Sequence, residues 1–282
     1  MNTMNSGTLY ILATPIGNLE DMTFRAVRVL REVDLIAAED TRHTRKLLTH
    51  FDISKPLTSY FDHNKTLKGT VILDKLKSGL SVALVSDAGT PCISDPGYQL
   101  VRDAVAAGVA VVPIPGACAA VAALSVSGLP TDAFVFEGFL PNRSGKRREK
   151  LSLLKDEKRL LVFYEAPTRL VATLADIAEI LGDRDVVVAR EITKIYEELL
   201  RGQVSAILET LRERQLKGEI VLLVAPSAEA PPVREDAVTE LLQRYLFSEG
   251  ITVKDAVRRV AEETGVARGK VYDQALQLKA DR

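Results

Sequence analysis

Short apolar runs rich in Val, Ile and Leu alternate along this chain with segments whose apolar residues recur at helical spacing. Such short runs suit strands that are buried on both faces, and their alternation with helices favours parallel strand order. The pattern predicts an α/β fold. Strands are expected at 9–13, 35–38, 57–60, 82–86, 109–112, 134–138, 160–164, 186–189, 197–201 and 220–225.

An Ala- and Gly-rich stretch, 116–128, divides these strands into two series. Because 46% of the 282 residues are hydrophobic, each series has enough apolar material for a core. We predict α/β domains over 1–117 and 118–226, with mainly parallel or mixed sheets and a ligand cleft between them. Residues 227–233 have linker composition, and 234–282 predict a small helical domain, for which a helix-turn-helix is one arrangement.

The charges give no whole-chain attraction for phosphate, since 37 Lys and Arg face 38 Asp and Glu. Any nucleic-acid surface must therefore be local. Segment 141–150 carries five cations against one acid, and segment 254–270 carries five against three. A solvated helix start in the first segment and packing on a partner in the second are the competing interpretations.

Metal binding and membrane insertion are not expected. The two cysteines, Cys92 and Cys118, have no CxxC spacing and are too few for a disulfide framework. The three histidines form no ligand pattern. No stretch approaches eighteen consecutive apolar residues, and 1–7 lack the sections of a secretory signal, so we predict a cytosolic protein.

The strand at 82–86 ends in the sequence Ser86-Asp87-Ala88-Gly89-Thr90-Pro91. A glycine at the carboxyl end of a strand lets the backbone approach a ligand closely. The loop has no Lys and no phosphate-loop spacing, and its acid would repel a polyphosphate. A ligand with hydroxyl and ammonium donors fits better, although Asp, Gly and Pro also build ordinary turns. Asp95 and Pro96 then predict the start of the next helix.

Six motifs, in one order along the chain, share this strand-end character: 12–21, 38–42, 86–91, 137–141, 164–169 and 190–194. Together they closely resemble the tetrapyrrole methylase superfamily, in its branch that methylates ribosomal RNA. The resemblance implies S-adenosylmethionine bound between two α/β domains, and a homodimer. It also implies 2′-O-methylation of a cytidine ribose in the decoding region of 16S rRNA, with the 30S subunit as the expected substrate particle.

Two alternative functions stay open. One is a small-molecule methylase that acts on a tetrapyrrole, which the charged segment 39–46 and the helical tail disfavour. The other is a nucleic-acid-binding regulator built on that tail, in which the cleft would hold only an effector.

The resemblance also implies which residues contact the cofactor. For Phe139 and Leu140 ordinary core packing is the competing account, and for Asp87 it is a turn-stabilising contact. The implied contacts are Pro15, Asp87, Ala88, Gly89, Thr90, Pro115, Gly116, Ala117, Cys118, Ala119, Phe139, Leu140, Tyr164, Glu165, Ala166, Gly218, Glu219 and Ile220.

Lys194, with Glu165 and Glu191, is our hypothesis for the group nearest the reacting hydroxyl, because these charges directly follow strands of the second series. As a base, Lys194 would need a lowered pKa; otherwise it would only stabilise the developing alkoxide. Arg42 is expected to hold the RNA backbone while Asp40 orients it, with a helix-start ion pair as the alternative. The RNA-binding set is Arg42, Arg143, Lys146, Arg147, Arg148, Arg258, Arg259, Arg268 and Lys270.

Overall fold

The computed structural model describes residues 7–61, 65–227, 235–264 and 266–280. The chain divides into two compact units, Met1–Ser227 and Ala228–Arg282, and each is described by itself. The predicted linker at 227–233 lies, apart from Ser227, outside the described residues.

The first sheet of the larger unit is entirely parallel, in the order β3-β2-β4-β1-β5. Its strands are β1 (Thr8–Leu12), β2 (Leu35–Ala38), β3 (Leu57–Ser59), β4 (Val82–Val85) and β5 (Ala110–Ile114). Its helices are α1 (Phe24–Glu32), α2 (Thr41–His50), α3 (Lys65–Lys77) and α4 (Tyr98–Ala106). Leu30 and Leu48 bring α1 and α2 onto one face, and Ile72 and Leu100 bring α3 and α4 onto the other. Burial on both faces explains the continuous apolar strands.

The second sheet is mixed, in the order β6-β7-β10-β8-β9, and only its β6–β7 pair is parallel. Its strands are β6 (Phe134–Phe139), β7 (Leu160–Glu165), β8 (Asp185–Arg190), β9 (Glu198–Gln203) and β10 (Ile220–Val224). Its helices are α5 (Ala119–Ser127), α6 (Ser144–Leu153), α7 (Leu170–Leu181) and α8 (Val204–Leu211). Helix α5 covers one face, and α6, α7 and α8 cover the other.

The predicted α/β class is confirmed, and each of the ten expected strands lies within two residues of an observed one at both ends. The division into domains at residue 117 stays a prediction. The expected helix start at Pro96 is wrong, because α4 begins at Tyr98 after Gly97, whose φ is 149°. This φ is not helical, so α4 can begin only after Gly97. A Cβ at this position would lie 2.4 Å from the Cys92 Sγ, so the position requires glycine.

The smaller unit is helical, as predicted. It contains α9 (Glu235–Gln243), a π-helical turn (Arg244–Ser248), α10 (Val253–Thr264) and α11 (Arg268–Ala280). Val260 of α10 and Val271 of α11 are fully buried in a core with Leu242 of α9. Across both units, no helix of the described ranges is long and apolar enough to cross a membrane.

Candidate active site

Two loops meet at the carboxyl ends of β1 and β4. Thr14 and Gly89 form an antiparallel bridge, with N···O distances of 2.9 and 3.1 Å. The Thr14 hydroxyl also donates to the Ser86 carbonyl at 3.2 Å. Gly89 has a φ of 78°, a conformation that glycine adopts without strain. The strand-end loops are thus fixed to each other.

A cavity of about 450 Å³ opens beside this bridge, and both sheets contribute to its walls. Most residues that the family resemblance implied as cofactor contacts lie there together. Those lining the cavity are Asp87, Ala88, Gly89, Thr90, Cys118, Ala119, Phe139, Tyr164, Glu165, Ala166, Gly218, Glu219 and Ile220.

The remaining implied contacts, Pro15, Pro115, Gly116, Ala117 and Leu140, are not among the lining residues. One of them, Ala117, contacts a lining residue. The Ala117 carbonyl accepts a hydrogen bond from the Thr90 hydroxyl at 3.1 Å. Leu140 is only 3% exposed and belongs to the core between the second sheet and helices α6, α7 and α8, as the packing alternative for this residue expects.

The cavity has further lining residues that were not among the implied cofactor contacts: Ile16, Glu39, Ile93, Ser94, Asp95, Pro167, Ala189, Ile192 and Val221. Three of these belong to the loop that runs from Thr90 to Gly97. Its backbone is unusual, because Cys92 and Ser94 have φ angles of 71° and 63°. Strained residues of this kind concentrate at functional sites.

Asp95 is the most informative residue of that loop, because its side chain is half-buried in the cavity wall. Burial raises the pKa of its carboxyl group, and the charge of Asp87 raises it further, while a hydrogen bond with Ser86 opposes both. Asp95 therefore holds a proton more strongly than an exposed aspartate does.

Tyr164, at the end of β7, forms the apolar side of the cavity. Its ring meets those of Phe136 and Phe139 edge-on, with centroids 5.0 and 5.7 Å apart. Burial, followed by the proximity of Cys118, raises the pKa of the Tyr164 hydroxyl to about 12. This hydroxyl stays protonated at neutral pH.

Glu165 does not have the free oxygens that a catalytic role would require. Its side chain is buried; Oε1 accepts from the Ala166 N–H at 2.7 Å and Oε2 from the Thr173 hydroxyl at 2.6 Å. The Arg169 Nε also lies 3.2 Å from Oε1. Glu165 therefore fixes the start of α7 against the cavity wall.

The Lys194 ammonium lies 2.8 Å from the Glu191 Oε1 and 3.0 Å from the Glu219 Oε2. Burial lowers the pKa of Lys194, but hydrogen bonds to these two carboxylates more than offset it, and the pKa is raised. The structure therefore contradicts Lys194 as a general base, which needs a lowered pKa. Its neighbour Thr193 instead joins the two sheets' loops, since its hydroxyl accepts from the Asn18 N–H at 3.1 Å.

The predicted RNA contacts differ sharply in their surroundings. Arg147 was wrongly predicted as an RNA contact: its side chain is only 7% exposed and its Nε lies 2.7 Å from the Asp176 Oδ2. Arg148 pairs with Asp176 and with Glu179. In the same helix region, Arg143 and Lys146 are exposed.

The cations of the smaller unit also lie near acids. Arg258, Arg259 and Arg268 are 3.5, 3.7 and 3.5 Å from carboxylate oxygens. Lys270 is exposed. The Arg42 guanidinium lies 2.7 Å from the Asp40 Oδ2, a contact that both the orienting role of Asp40 and the helix-start ion pair require, so RNA contact by Arg42 stays a prediction.

Comparison with known proteins identifies the family. The model of the Tetrapyrrole (Corrin/Porphyrin) Methylases matches residues 8–208, and that of the RsmI C-terminal HTH domain matches 234–279. Proteins named ribosomal RNA small subunit methyltransferase I, from Halalkalibacterium halodurans and Synechocystis sp., are each 49% identical to this chain. The matches cover 95% and 98% of this chain, and 94% and 99% of those relatives. The chain belongs to the ribosomal RNA small subunit methyltransferase I family of tetrapyrrole methylases. It is a methyltransferase.

Solved structures agree with this fold. Uroporphyrin-III-C-methyltransferase from Thermus thermophilus aligns with a TM-score of 0.55 at 20% identity, over 78% of this chain and 94% of its own. Diphthine synthase aligns with a TM-score of 0.59 at 15% identity, over 78% and 90%. A second structure of the Thermus enzyme, complexed with S-adenosyl homocysteine, aligns with a TM-score of 0.54 at 16% identity, over 78% and 97%.

In the ranges that the structure describes, no group of three His, Cys, Asp or Glu side chains could hold a metal ion.

Proposed function

We propose that this chain transfers a methyl group from S-adenosylmethionine to small-subunit ribosomal RNA, at the 2′-oxygen of a cytidine ribose in the decoding region. The names of relatives that match nearly the whole chain support the RNA substrate. The nucleotide and the position rest on the family resemblance. The 30S particle as substrate, the homodimer and the cytosol as compartment stay predictions.

One observation about the cavity carries the assignment of the donor. Its lining residues include five acids, Glu39, Asp87, Asp95, Glu165 and Glu219, and no Lys or Arg. Glu165 and Glu219 are paired with Arg169 and Lys194, yet the lining carries no positive side chain of its own, so the wall favours a cation over a polyphosphate. S-adenosylmethionine, when bound, supplies a methyl group on a positively charged sulfur and also carries an ammonium group. The apolar side formed by Phe139 and Tyr164 suits its uncharged parts.

The chain's own task in such a transfer is first to align the acceptor oxygen with the methyl carbon. Correct positioning contributes about 7 to 11 kcal/mol to catalysis in general. The bridge between Thr14 and Gly89, together with the fixed Glu165, makes the wall rigid enough for that task. Phe139 and Tyr164 line the apolar side of the cavity, and the Phe139 side chain, 56% exposed, is available to cover a bound donor.

The second task is to accept the proton of the hydroxyl. Lys194 stays protonated, Glu165 already has three partners and Glu219 is paired with Lys194. The Asp87 Oδ1 accepts from the Asp40 N–H at 2.9 Å. Asp95 lines the cavity and the pKa of its carboxyl group is raised, so we assign the proton acceptor to it.

The experiment that tests the proposed function offers radiolabelled methyl donor to the purified chain with 30S subunits, free 16S rRNA or uroporphyrinogen. Label in RNA at a ribose 2′-oxygen is expected. Label in uroporphyrinogen alone would support the tetrapyrrole alternative, and donor binding with no transfer to any acceptor would support a regulator.

A further inference from the structure

Helix α2 carries a row of cations of which only the first, Arg42, is paired with an acid in the described part of the chain. Arg42, Arg45 and Lys46 lie at positions i, i+3 and i+4 and therefore share one face, while Thr44 and Leu48 are buried on another. No acid occurs between Thr41 and His50. The exposed face of this helix is consequently a local positive surface in a chain whose net charge is −1.

The folded protein offers these cations few favourable electrostatic interactions. Arg42 is held by Asp40, but Arg45 and Lys46 are exposed, and no acid of the described part of the chain pairs with either. Like charges at i and i+4 destabilise a helix by about 0.2 to 0.5 kcal/mol. A cation in the first helical turn also opposes the helix dipole. The arrangement is thus unfavourable for folding, which points to a binding role.

The position of α2 relates this surface to the cavity. Glu39, which precedes the helix by two residues, lines the cavity, and the backbone N–H of Asp40 donates to Asp87 in the cavity loop at 2.9 Å. At 3.6 residues per turn, Arg45 and Lys46 lie about one and a half turns along the helix from Asp40.

The acidic cavity presents a difficulty that α2 resolves. A ribose can enter it only with its phosphates close by. Two of the five acidic lining residues, Glu165 and Glu219, are paired with Arg169 and Lys194, but the lining contains no cation that could hold those phosphates. Cations placed outside the cavity, but next to its wall, can hold the backbone while the sugar reaches in. Of the other cation-rich segments, α6 uses Arg147 and Arg148 to bind α7.

We propose that the exposed face of α2, formed by Arg42, Arg45 and Lys46, binds the phosphate backbone of the RNA strand that presents the methyl acceptor. This inference rests on the proposed function, because it specifies where the RNA substrate lies. The contacts are to phosphates, so they add affinity without selecting a base.

The test compares two variants of the full chain with the same loss of charge. Arg45→Gln/Lys46→Gln removes two cations from α2. Lys75→Gln/Lys77→Gln is the matched control: both are exposed residues at the end of α3, which packs on the opposite face of the first sheet. Binding to 30S subunits and to free 16S rRNA is measured over a salt series, with circular dichroism to verify folding.

The α2 variant is expected to weaken binding to both RNA forms and to reduce the slope of log K against log salt by about 2, one for each lost phosphate contact. The control is expected to keep the wild-type slope. Equal slopes for the two variants would overturn the proposal, as would a loss seen with the particle but not with free rRNA, which would assign α2 to a protein partner.

Failure of this inference and failure of the proposed function give different results. If the wild-type chain methylates RNA and the α2 variant retains its affinity and slope, only the α2 surface is wrong. If the wild-type chain neither binds nor methylates RNA, the proposed function is wrong and the α2 inference falls with it.

Discussion

Helices α6 and α2 are both rich in cations, yet the structure uses them in opposite ways. In α6, Arg147 is buried and Arg148 half-exposed, and both reach acids of α7. In α2, Arg45 and Lys46 face solvent without an acid partner in the described residues. Since the two segments look alike in sequence, only the acids brought by the fold distinguish a structural charge from one available to a ligand.

The same distinction applies to acids. Asp176 is buried and accepts from two arginines, at 2.7 and 2.9 Å. Asp95 is half-buried in the cavity wall, close to another acid, Asp87. One carboxylate stabilises the fold, and the other is retained in an unfavourable environment. Four variants test this contrast between charged residues that hold α6 to α7 and charged residues in the cavity wall and on α2.

The largest effect on stability is expected for Asp176→Ala. This change leaves the buried Arg147 guanidinium without its partner, and removal of one member of a buried pair destabilises a protein by about 3 to 5 kcal/mol. Urea denaturation followed by circular dichroism measures the change. A loss below 1 kcal/mol would mean that the α6–α7 contact does not differ energetically from a surface ion pair.

Asp95→Asn is expected to slow single-turnover methylation by about 10² or more, because asparagine cannot accept the proton. The free energy of unfolding, by contrast, should increase in this variant. The folded pKa of Asp95 is raised, so the unfolded carboxyl loses its proton at lower pH than the folded one. Stability therefore falls as pH rises from the unfolded to the folded pKa, and the variant should lack this fall.

The control for Asp95 is Asp103→Asn, at a half-exposed α4 residue whose pKa is lowered by its hydrogen bond with Gln99. Its rate should equal that of the wild type. A wild-type rate for Asp95→Asn at all pH values would remove Asp95 from proton transfer.

A smaller effect is expected for Glu179→Gln, at the solvent side of the same α6–α7 contact. Glu179 pairs with Arg148, but its side chain is 64% exposed. Exposed ion pairs contribute about 0.2 to 1 kcal/mol and weaken with salt. Denaturation curves at low and high salt should therefore differ more for the wild type than for this variant; a salt-independent loss would indicate that Glu179 acts by packing.

The smallest effect on stability is expected for Arg45→Gln/Lys46→Gln. Removing unpaired cations from α2 should change the free energy of unfolding by about 0.5 kcal/mol or less, with the variant slightly the more stable. Thermal denaturation measures the sign. A clear destabilisation would show that these residues hold the fold, as Arg147 does.

The sequence predicts what local patterns determine. The fully buried strands β2, β4 and β10 could be located because a buried strand needs a continuous apolar run, and α10 because its apolar residues recur at helical spacing. The glycine loop at 86–91 could be associated with a ligand because backbone can approach only where no Cβ intervenes.

What the sequence could not predict depends on contacts between distant residues or on unusual backbone. Asp176 lies 29 residues from Arg147, and no spacing rule relates the two. Asp95 resembled a helix cap, whereas the left-handed conformations of Cys92 and Ser94 place it in the cavity instead. The raised pKa of Lys194 depends on Glu219, a residue of another loop.

The place of β10 in the second sheet also has a consequence for biosynthesis. It pairs with β7 on one side and β8 on the other, yet it is the last of the five strands to be made. Until residue 224 emerges from the ribosome, a nascent chain has two apolar strand edges with no partner. A chain that ends at residue 219 should therefore aggregate during synthesis, whereas one that ends at 227 has every strand of both sheets.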